Sequence, residues 1–326
     1  MATLKDIAKE LGVSVATVSY ALTGRGSVSP AMRDKVLATV ERLGYQPNRK
    51  AQAMRTGITR CIGLIIPDLT NPFFPQLAQK IEFEARAVGL SVFVVDCQNQ
   101  AVHEEEGLNL MEQQQVDGVI WCPTGNRSTQ RLARLRCPVV LVDRPLPGFD
   151  AVHSDYRAGG QLLAQHAIEL GHRTVGLLSG PQETESARLR RAGFVEAAAG
   201  RLDIQWEEEV PFSSELSPAA RQALAASKAS LVVAANDLIA VGALDELRSL
   251  GKRVPEDVSL MGFDDIPWSA LITPSLTTIR QPIAALAHEA LSLLTAKMLD
   301  RNRPVSTRVV GVSLVERNSA IALNHG

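Results

Sequence analysis

The sequence predicts an all-α helix-turn-helix head followed by an α/β core built from two doubly wound parallel-sheet lobes. Three observations carry that reading. Residues 4–43 divide into three short amphipathic helical stretches separated by capping residues. From residue 61 the pattern changes to apolar runs of about five or six residues alternating with amphipathic stretches of roughly 12 to 18, as expected of strands buried on both faces between helices. Charge is also divided: of 34 basic and 35 acidic side chains, ten basic and four acidic fall in the first sixty residues, so a head of +6 precedes a body of −7.

The head is read element by element from its punctuation. A first helix, residues 4–11, ends at Gly12, where a left-handed residue is tolerated. A second, 15–22, follows Ser14 as N-cap. A third, 31–43, follows Ser29 and Pro30, an N-cap with proline at the first helical position. Leu4, Ile7, Ala8 and Leu11, then Val18 and Leu22, then Val36, Leu37, Val40 and Leu43 form three stripes that close a small core. Strands are expected at 62–66, 91–96, 119–122, 139–143, 175–179, 231–235 and 258–263. Their repetition over so long a stretch implies two sheets, divided near Gly159-Gly160. Ligands of such sheets bind beyond the carboxyl ends of the strands. Asn71-Pro72-Phe73-Phe74, Asp143-Arg144, Asn236-Asp237 and Asp264-Asp265 fall at those ends.

Composition narrows the function classes. With 326 residues, 45% hydrophobic and 21% charged, the chain buries a sizeable core and divides into two or three domains; neither a disordered nor a collagen-like chain fits. No run approaches the ~20 apolar residues of a membrane span, and the first residues lack an apolar signal region, so a cytoplasmic protein without a membrane partner is expected. Cys61, Cys97, Cys122 and Cys137 form no CxxC pair and read as buried free thiols rather than disulfides or zinc ligands. There is no GxSxG elbow, P-loop or HExxH, and the six histidines lack ligand spacing; neither an enzyme, a metal nor a cofactor is expected.

The tight turn Leu11-Gly12-Val13-Ser14 gives a helix-turn-helix spacing, and a basic head suits phosphate. In that geometry Val15, Ala16 and Tyr20 project toward bases, while Thr17, Ser19, Arg25 and Ser29 take phosphates. Ala2-Thr3-Leu4-Lys5-Asp6-Ile7-Ala8, Gly12-Val13-Ser14, Thr17-Val18-Ser19 and Leu43-Gly44-Tyr45-Gln46-Pro47-Asn48 resemble the N-terminal signature of the lactose/galactose/purine repressor family, and the likeness covers essentially the whole chain. The resemblance implies a DNA-binding domain over 1–47, a hinge over 48–59, and a core over 60–326 similar to periplasmic sugar-binding proteins. Its lobes would be 60–160 with 283–314 and 161–282 with 315–326. It adds Thr3, Ser14, Asn48, Met54 and Arg55 to the expected DNA contacts. Met54 stands where family members usually carry a leucine wedge that kinks the minor groove, which an apolar methionine can also do. Val15 and Ala16 reach thymine methyls but cannot make bidentate bonds to purines, and Tyr20 stands where histidine or arginine is common. A homodimer on a pseudo-palindromic double-stranded operator is implied.

In the body the motifs resemble the pentose-binding members of the periplasmic sugar-binding fold. By that resemblance Asn71, Phe73 and Phe74 supply an amide and two stacking rings. Asp143, Arg144 and Arg190 supply a carboxylate and two guanidinium groups, Phe212 closes the aromatic sandwich, and Asn236, Asp264 and Gln281 complete the rim. A sugar needs rings against its C–H faces and bidentate polar groups around its hydroxyls. The implied effector is D-ribose or a similar pentose; a sugar acid, phosphosugar or nucleoside/purine is the alternative. Trp268 is placed either over the pocket or on the surface. A sugar-processing enzyme with Asp143 or Asp264 as general base is the rival class, and it lacks a visible partnered acid.

Overall fold

The computed structural model describes residues 2–24, 26–45, 56–125 and 135–323. It divides into two compact units, Met1–Thr59 and Arg60–Gly326.

The first unit contains α1 (Leu4–Leu11), α2 (Val15–Thr23) and α3 (Pro30–Arg42). The second and third starts are capped as their sequence predicts, and the first carries a cap that was not among the expectations. Thr3 and Asp6 form a reciprocal capping box, the Ser14 hydroxyl accepts from the Thr17 amide at 3.1 Å, and that of Ser29 accepts from the Met32 amide at 3.3 Å. Gly12 (φ 64°) ends α1 in the left-handed conformation. Ile7, Ala8, Val18, Ala21 and Val36 form the core, with Leu4, Leu11, Leu22, Val40 and Leu43 packed around it. Leu37 departs from its expected place and is exposed. It stands one residue past Val36, about 100° around the helix, and Thr39 is buried on the core side instead.

The second unit contains two sheets. The first, in spatial order β11-β5-β4-β3-β1-β2, is all parallel, with β1 (Cys61–Ile66), β2 (Ser91–Asp96), β3 (Gly118–Trp121), β4 (Val139–Val142), β5 (Asp150–Ser154) and β11 (Thr307–Val310). It is flanked by α4 (Phe73–Ala87), α5 (Ala101–Gln113) and α11 (Ile283–Leu299). Alternation along β1 sends Ile62, Leu64 and Ile66 to the α4 and α11 side and Ile65 to the side of Leu108 and Trp121. The second sheet runs β12-β10-β9-β8-β6-β7, with β6 (Thr174–Ser179), β7 (Asp203–Glu209), β8 (Leu231–Ala234), β9 (Ser259–Asp264), β10 (Thr277–Arg280) and β12 (Ser313–Val315). Only the β10–β12 pair is antiparallel. Its helices are α6 (Tyr156–Glu169), α7 (Glu185–Ala198), α8 (Pro218–Ala226), α9 (Asp237–Ser249) and the short α10 (Pro267–Leu271).

The chain therefore passes between lobes three times: after β5, after β10, and between β11 and β12. The first passage lies at Asp155, ahead of Gly159-Gly160, and the last before β12 rather than at 314–315. The glycine pair is inside α6: Gly159 faces the Phe263 ring on β9, and Gly160 is required by the close approach of α7. A Cβ on Gly160 would lie 2.1 Å from the Arg190 carbonyl oxygen. β5, β7 and β10 to β12 have no counterpart among the expected strands. Five of the seven residues of β7 are Asp, Gln or Glu, because it is an edge strand with water beside it. The four cysteines form no disulfide with one another; Cys97 and Cys122 are buried, whereas Cys61 and Cys137 are only partly so, since they stand at or just before the starts of strands. Among the described residues no helix is long and apolar enough to cross a membrane, and no group of His, Cys, Asp and Glu is placed to hold a metal ion.

Candidate functional site

The carboxyl ends of both sheets open onto one cavity. All ten residues singled out from the sequence line it: Asn71, Phe73, Phe74, Asp143 and Arg144 from the first lobe, Arg190, Phe212, Asn236 and Asp264 from the second, and Gln281 from the passage after β10. Nine are buried and Phe212 is half-buried. Ser186 also lines the cavity and was not among them. The signal that would have found it is its spacing: it lies four residues before Arg190 on α7, on the same face.

Local backbone geometry aims these groups. The Asn71 carboxamide oxygen accepts from the Phe73 amide at 3.1 Å, so the turn after β1 closes on itself and starts α4 with both rings in the wall. Phe73 and Phe74 meet edge to face with centroids 5.2 Å apart. Asp143 leaves β4 in the left-handed region (φ 69°), which turns its carboxylate inward rather than along the strand. The Tyr156 hydroxyl donates to Asp143 Oδ1 at 2.5 Å, and the Cys122 thiol donates to Oδ2 at 3.6 Å. Arg144 is anchored by Nη1, which donates to the carbonyls of Pro123 at 2.9 Å and Thr124 at 3.2 Å. Its Nε lies 3.5 Å from Asp143 Oδ2, within ion-pair distance but without hydrogen-bond geometry.

On the opposite wall, Arg190 Nη2 pairs with Asp264 Oδ1 at 3.0 Å and Nη1 donates to the Ala235 carbonyl at 2.8 Å. Its guanidinium carbon stands 4.0 Å from the Phe263 ring centre. Gln281 Nε2 donates to Asp264 Oδ1 at 2.7 Å, and the Ser154 hydroxyl donates to Gln281 Oε1 at 2.7 Å. Asn236 caps α9 by accepting from the Ile239 amide at 3.0 Å, leaving its amide nitrogen for other partners. Burial pushes the Asp264 carboxyl up to about 6, against the opposing pull of Arg190. Behind it, Asp237 is pushed up to about 7 by burial and by the Asp264 charge. Asp237 accepts from the Ile266 amide and the Ser269 and Thr278 hydroxyls, so it braces the wall without lining the cavity. Trp268 is exposed and does not line the cavity, because α10 turns its ring outward.

The cavity thus contains two carboxylates, two guanidinium groups, three neutral amides and three aromatic rings. Arg190 Nε and Arg144 Nε are buried without a hydrogen-bond partner among the described residues. Such a wall offers paired donors and acceptors around rings, with no net formal charge, which is the complement of a small polyhydroxylated molecule.

In the helical head, Val15, Ala16 and Tyr20 on α2 are exposed, Thr17 and Ser19 partly so. The hydroxyls of Thr3, Ser14 and Ser29 are engaged as helix caps, accepting from the amides of Asp6, Thr17 and Met32. Arg25, Asn48, Met54 and Arg55 lie outside the described residues, as do residues 48–55 of the expected hinge.

Comparison with known proteins bears on both units. Residues 3–48 match the pattern of bacterial regulatory proteins of the lacI family, and residues 164–320 match a periplasmic binding protein-like domain. The chain is 38% identical over 297 residues to the ribose operon repressor of Bacillus subtilis (strain 168), covering 90% of this chain and 91% of that protein. It is similar to the lac repressor dimer bound to operator and the anti-inducer ONPF, with a TM-score of 0.87 and 28% identity over 98% of this chain and 99% of that one. It is also similar to a LacI family transcriptional regulator from Enterococcus faecium with bound ribose, with a TM-score of 0.72 and 29% identity over 81% of this chain and all of that one.

Proposed function

Because the chain belongs to the lacI family of bacterial regulatory proteins, we propose that it is an operator-binding transcriptional repressor released from DNA by D-ribose or a similar pentose. The observation that carries the effector reading is the convergence of ten predicted residues from both lobes on one small cavity with balanced charge. Two aspartates offset two arginines, so a neutral sugar fits better than a sugar acid or phosphosugar, which would leave an excess anion in a closed site. The edge-to-face rings and the polar rim suit a ring with hydroxyls at its edge better than a flat purine. Bound sugar acts as inducer if it favours a lobe arrangement in which the paired hinge segments cannot pack on DNA. Calorimetry of the full chain against neutral monosaccharides, followed by operator gel shifts with the sugar that binds, tests this. Binding of none of them, or a sugar that tightens the operator complex, would sink the inducer reading. Incubation with ribose should return it unchanged, in keeping with a regulator rather than an enzyme.

A homodimer is part of the proposal. The first lobe exposes Phe83, Val88, Phe93 and Val94 along α4 and edge strand β2, an apolar face of the kind that a second copy covers. Two heads would then read a pseudo-palindrome. Met54 is assigned the minor-groove wedge. Met54→Gly should weaken operator binding by about tenfold or more, the scale of losing one intercalated apolar side chain, and leave sugar affinity within error. Equal losses of both would contradict that division of labour.

Sugar affinity should depend on pH through Asp264. Its carboxyl, ordinarily near 3.8, titrates at about 6, so it is an anion paired with Arg190 above that pH and a neutral acid below it. Affinity is expected to be full near pH 8 and to weaken by about tenfold for each pH unit below 6. The sign for the ligand-free fold is opposite. A carboxyl whose folded pKa is raised binds more protons folded than unfolded between about 4 and 6, so its contribution to stability declines as pH rises through that window. A pH-independent Kd between 5 and 8 would remove Asp264 from the binding contacts.

A further inference from the structure

We propose that Tyr156 is the positioning residue that sets which sugar hydroxyl the first lobe recognises, by holding the Asp143 carboxylate in one rotamer from the other lobe's first helix. The inference rests on the reading of the cavity as a sugar site. Tyr156 is the first residue of α6, immediately after the passage from β5, and its side chain is fully buried. Its hydroxyl lies 2.5 Å from Asp143 Oδ1 and 2.7 Å from the Asp143 carbonyl oxygen. Its ring lies 5.0 Å from the Arg190 guanidinium carbon and 6.3 Å from the Phe263 centroid, and it is stacked at 5.8 Å with His153. One side chain therefore touches the principal carboxylate of the first lobe and the principal cation of the second.

Continuity of the polar contacts makes this more than packing. From Tyr156 the path runs to Arg190, from Arg190 Nη2 to Asp264, from Asp264 to Gln281 Nε2, and from Gln281 Oε1 to the Ser154 hydroxyl, two residues before Tyr156. The path runs through two of the three passages between lobes. Asp143 is joined to it through the Tyr156 hydroxyl, and among the described residues that hydroxyl is the one strong side-chain donor to its carboxylate, beside the weak Cys122 thiol and the misaligned Arg144 Nε. A left-handed backbone at Asp143 turns its side chain toward the cavity, and the Tyr156 hydroxyl then leaves Oδ2 and the remaining lone pair of Oδ1 as acceptors in a fixed direction. A carboxylate held in this way accepts from one hydroxyl of a ring sugar; released, it can follow any.

Tyr156→Phe removes one oxygen and retains the ring against Arg190. The test is calorimetry of the wild-type full chain, Tyr156→Phe and Asp143→Asn with ribose and its monodeoxy analogues, with operator affinity as the check on folding. The expected result is about a tenfold loss of ribose affinity in Tyr156→Phe, the scale of one hydrogen bond to a charged group. The penalty for removing one particular hydroxyl, large in wild type, should shrink in Tyr156→Phe and in Asp143→Asn at that same position. A merely structural tyrosine would lower affinity for all analogues by one common factor. That outcome, unchanged affinity, or simultaneous loss of operator binding each overturns the proposal. Failure of the wild-type chain to bind any of these sugars would instead overturn the effector reading on which it rests.

Discussion

Replacing Arg190 with leucine is expected to abolish measurable pentose binding and to lower the stability of the protein at pH 7.5 by about 3–5 kcal/mol. The guanidinium is buried, pairs with Asp264 at 3.0 Å and lies over the Phe263 ring at 4.0 Å, so its removal leaves a buried carboxylate without its paired cation. Gln281 Nε2 still donates to Asp264, yet a neutral amide does not offset a charge removed from water. The sign of the pH effect identifies the cause. Without Arg190, which now draws the Asp264 carboxyl down, that group titrates above its present value of about 6 and is neutral at pH 5. Thermal melts of Arg190→Leu against wild type should therefore show a large deficit at pH 7.5 that narrows at pH 5. A deficit equal at both pH values would place the damage in lost packing rather than in the stranded charge.

Gly160→Ala should be nearly as damaging while adding only a methyl group. The Cβ would lie 2.1 Å from the Arg190 carbonyl oxygen and 2.8 Å from the Phe194 amide nitrogen, both backbone atoms that no rotamer change can move aside. The contact is reciprocal, since a Cβ on Gly193 would lie 2.0 Å from the Arg157 carbonyl oxygen. The α6 and α7 helices would have to separate, at a cost of about 3 kcal/mol or more given the usual range for overpacking. Separation also carries Arg190 and Tyr156 away from Asp264 and Asp143, so sugar affinity should fall with stability. Gly311→Ala is the control, because nothing lies within 4 Å of its Cβ position. Equal unfolding midpoints for Gly160→Ala and wild type would contradict the close approach.

Much of this architecture was legible along the chain. Helix starts at Thr3, Ser14 and Ser29 are local events, decided by a hydroxyl and an amide three residues apart, and each was readable without tertiary information. The apolar strands were readable from their hydropathy, which for all but the half-exposed edge strand β2 reflects burial on both faces. Strand β7 was not, because an edge strand facing water tolerates Glu207, Glu208 and Glu209, and its pairing with β6 is not encoded in its own hydropathy. Leu37 was misplaced because a leucine adjoining Val36 satisfies the stripe by type while facing 100° away from it.

Along the chain alone, the order of the parts and the chemistry available to each are legible: a basic capped three-helix head, a doubly wound body, and polar and aromatic residues at strand ends, to which the family resemblance adds Arg190, Phe212 and Gln281. How those groups pair is decided only in the folded structure. Asp143 and Tyr156, Arg190 and Asp264, and Ser154 and Gln281 are separated by 13, 74 and 127 positions, and their contacts arise only when two sheets close on each other and the chain passes between them. Hydropathy and capping are short-range and can be read within a single helix or strand. The direction of a buried carboxylate depends on which distant donor reaches it, and in this protein that donor sits at the passage between the lobes.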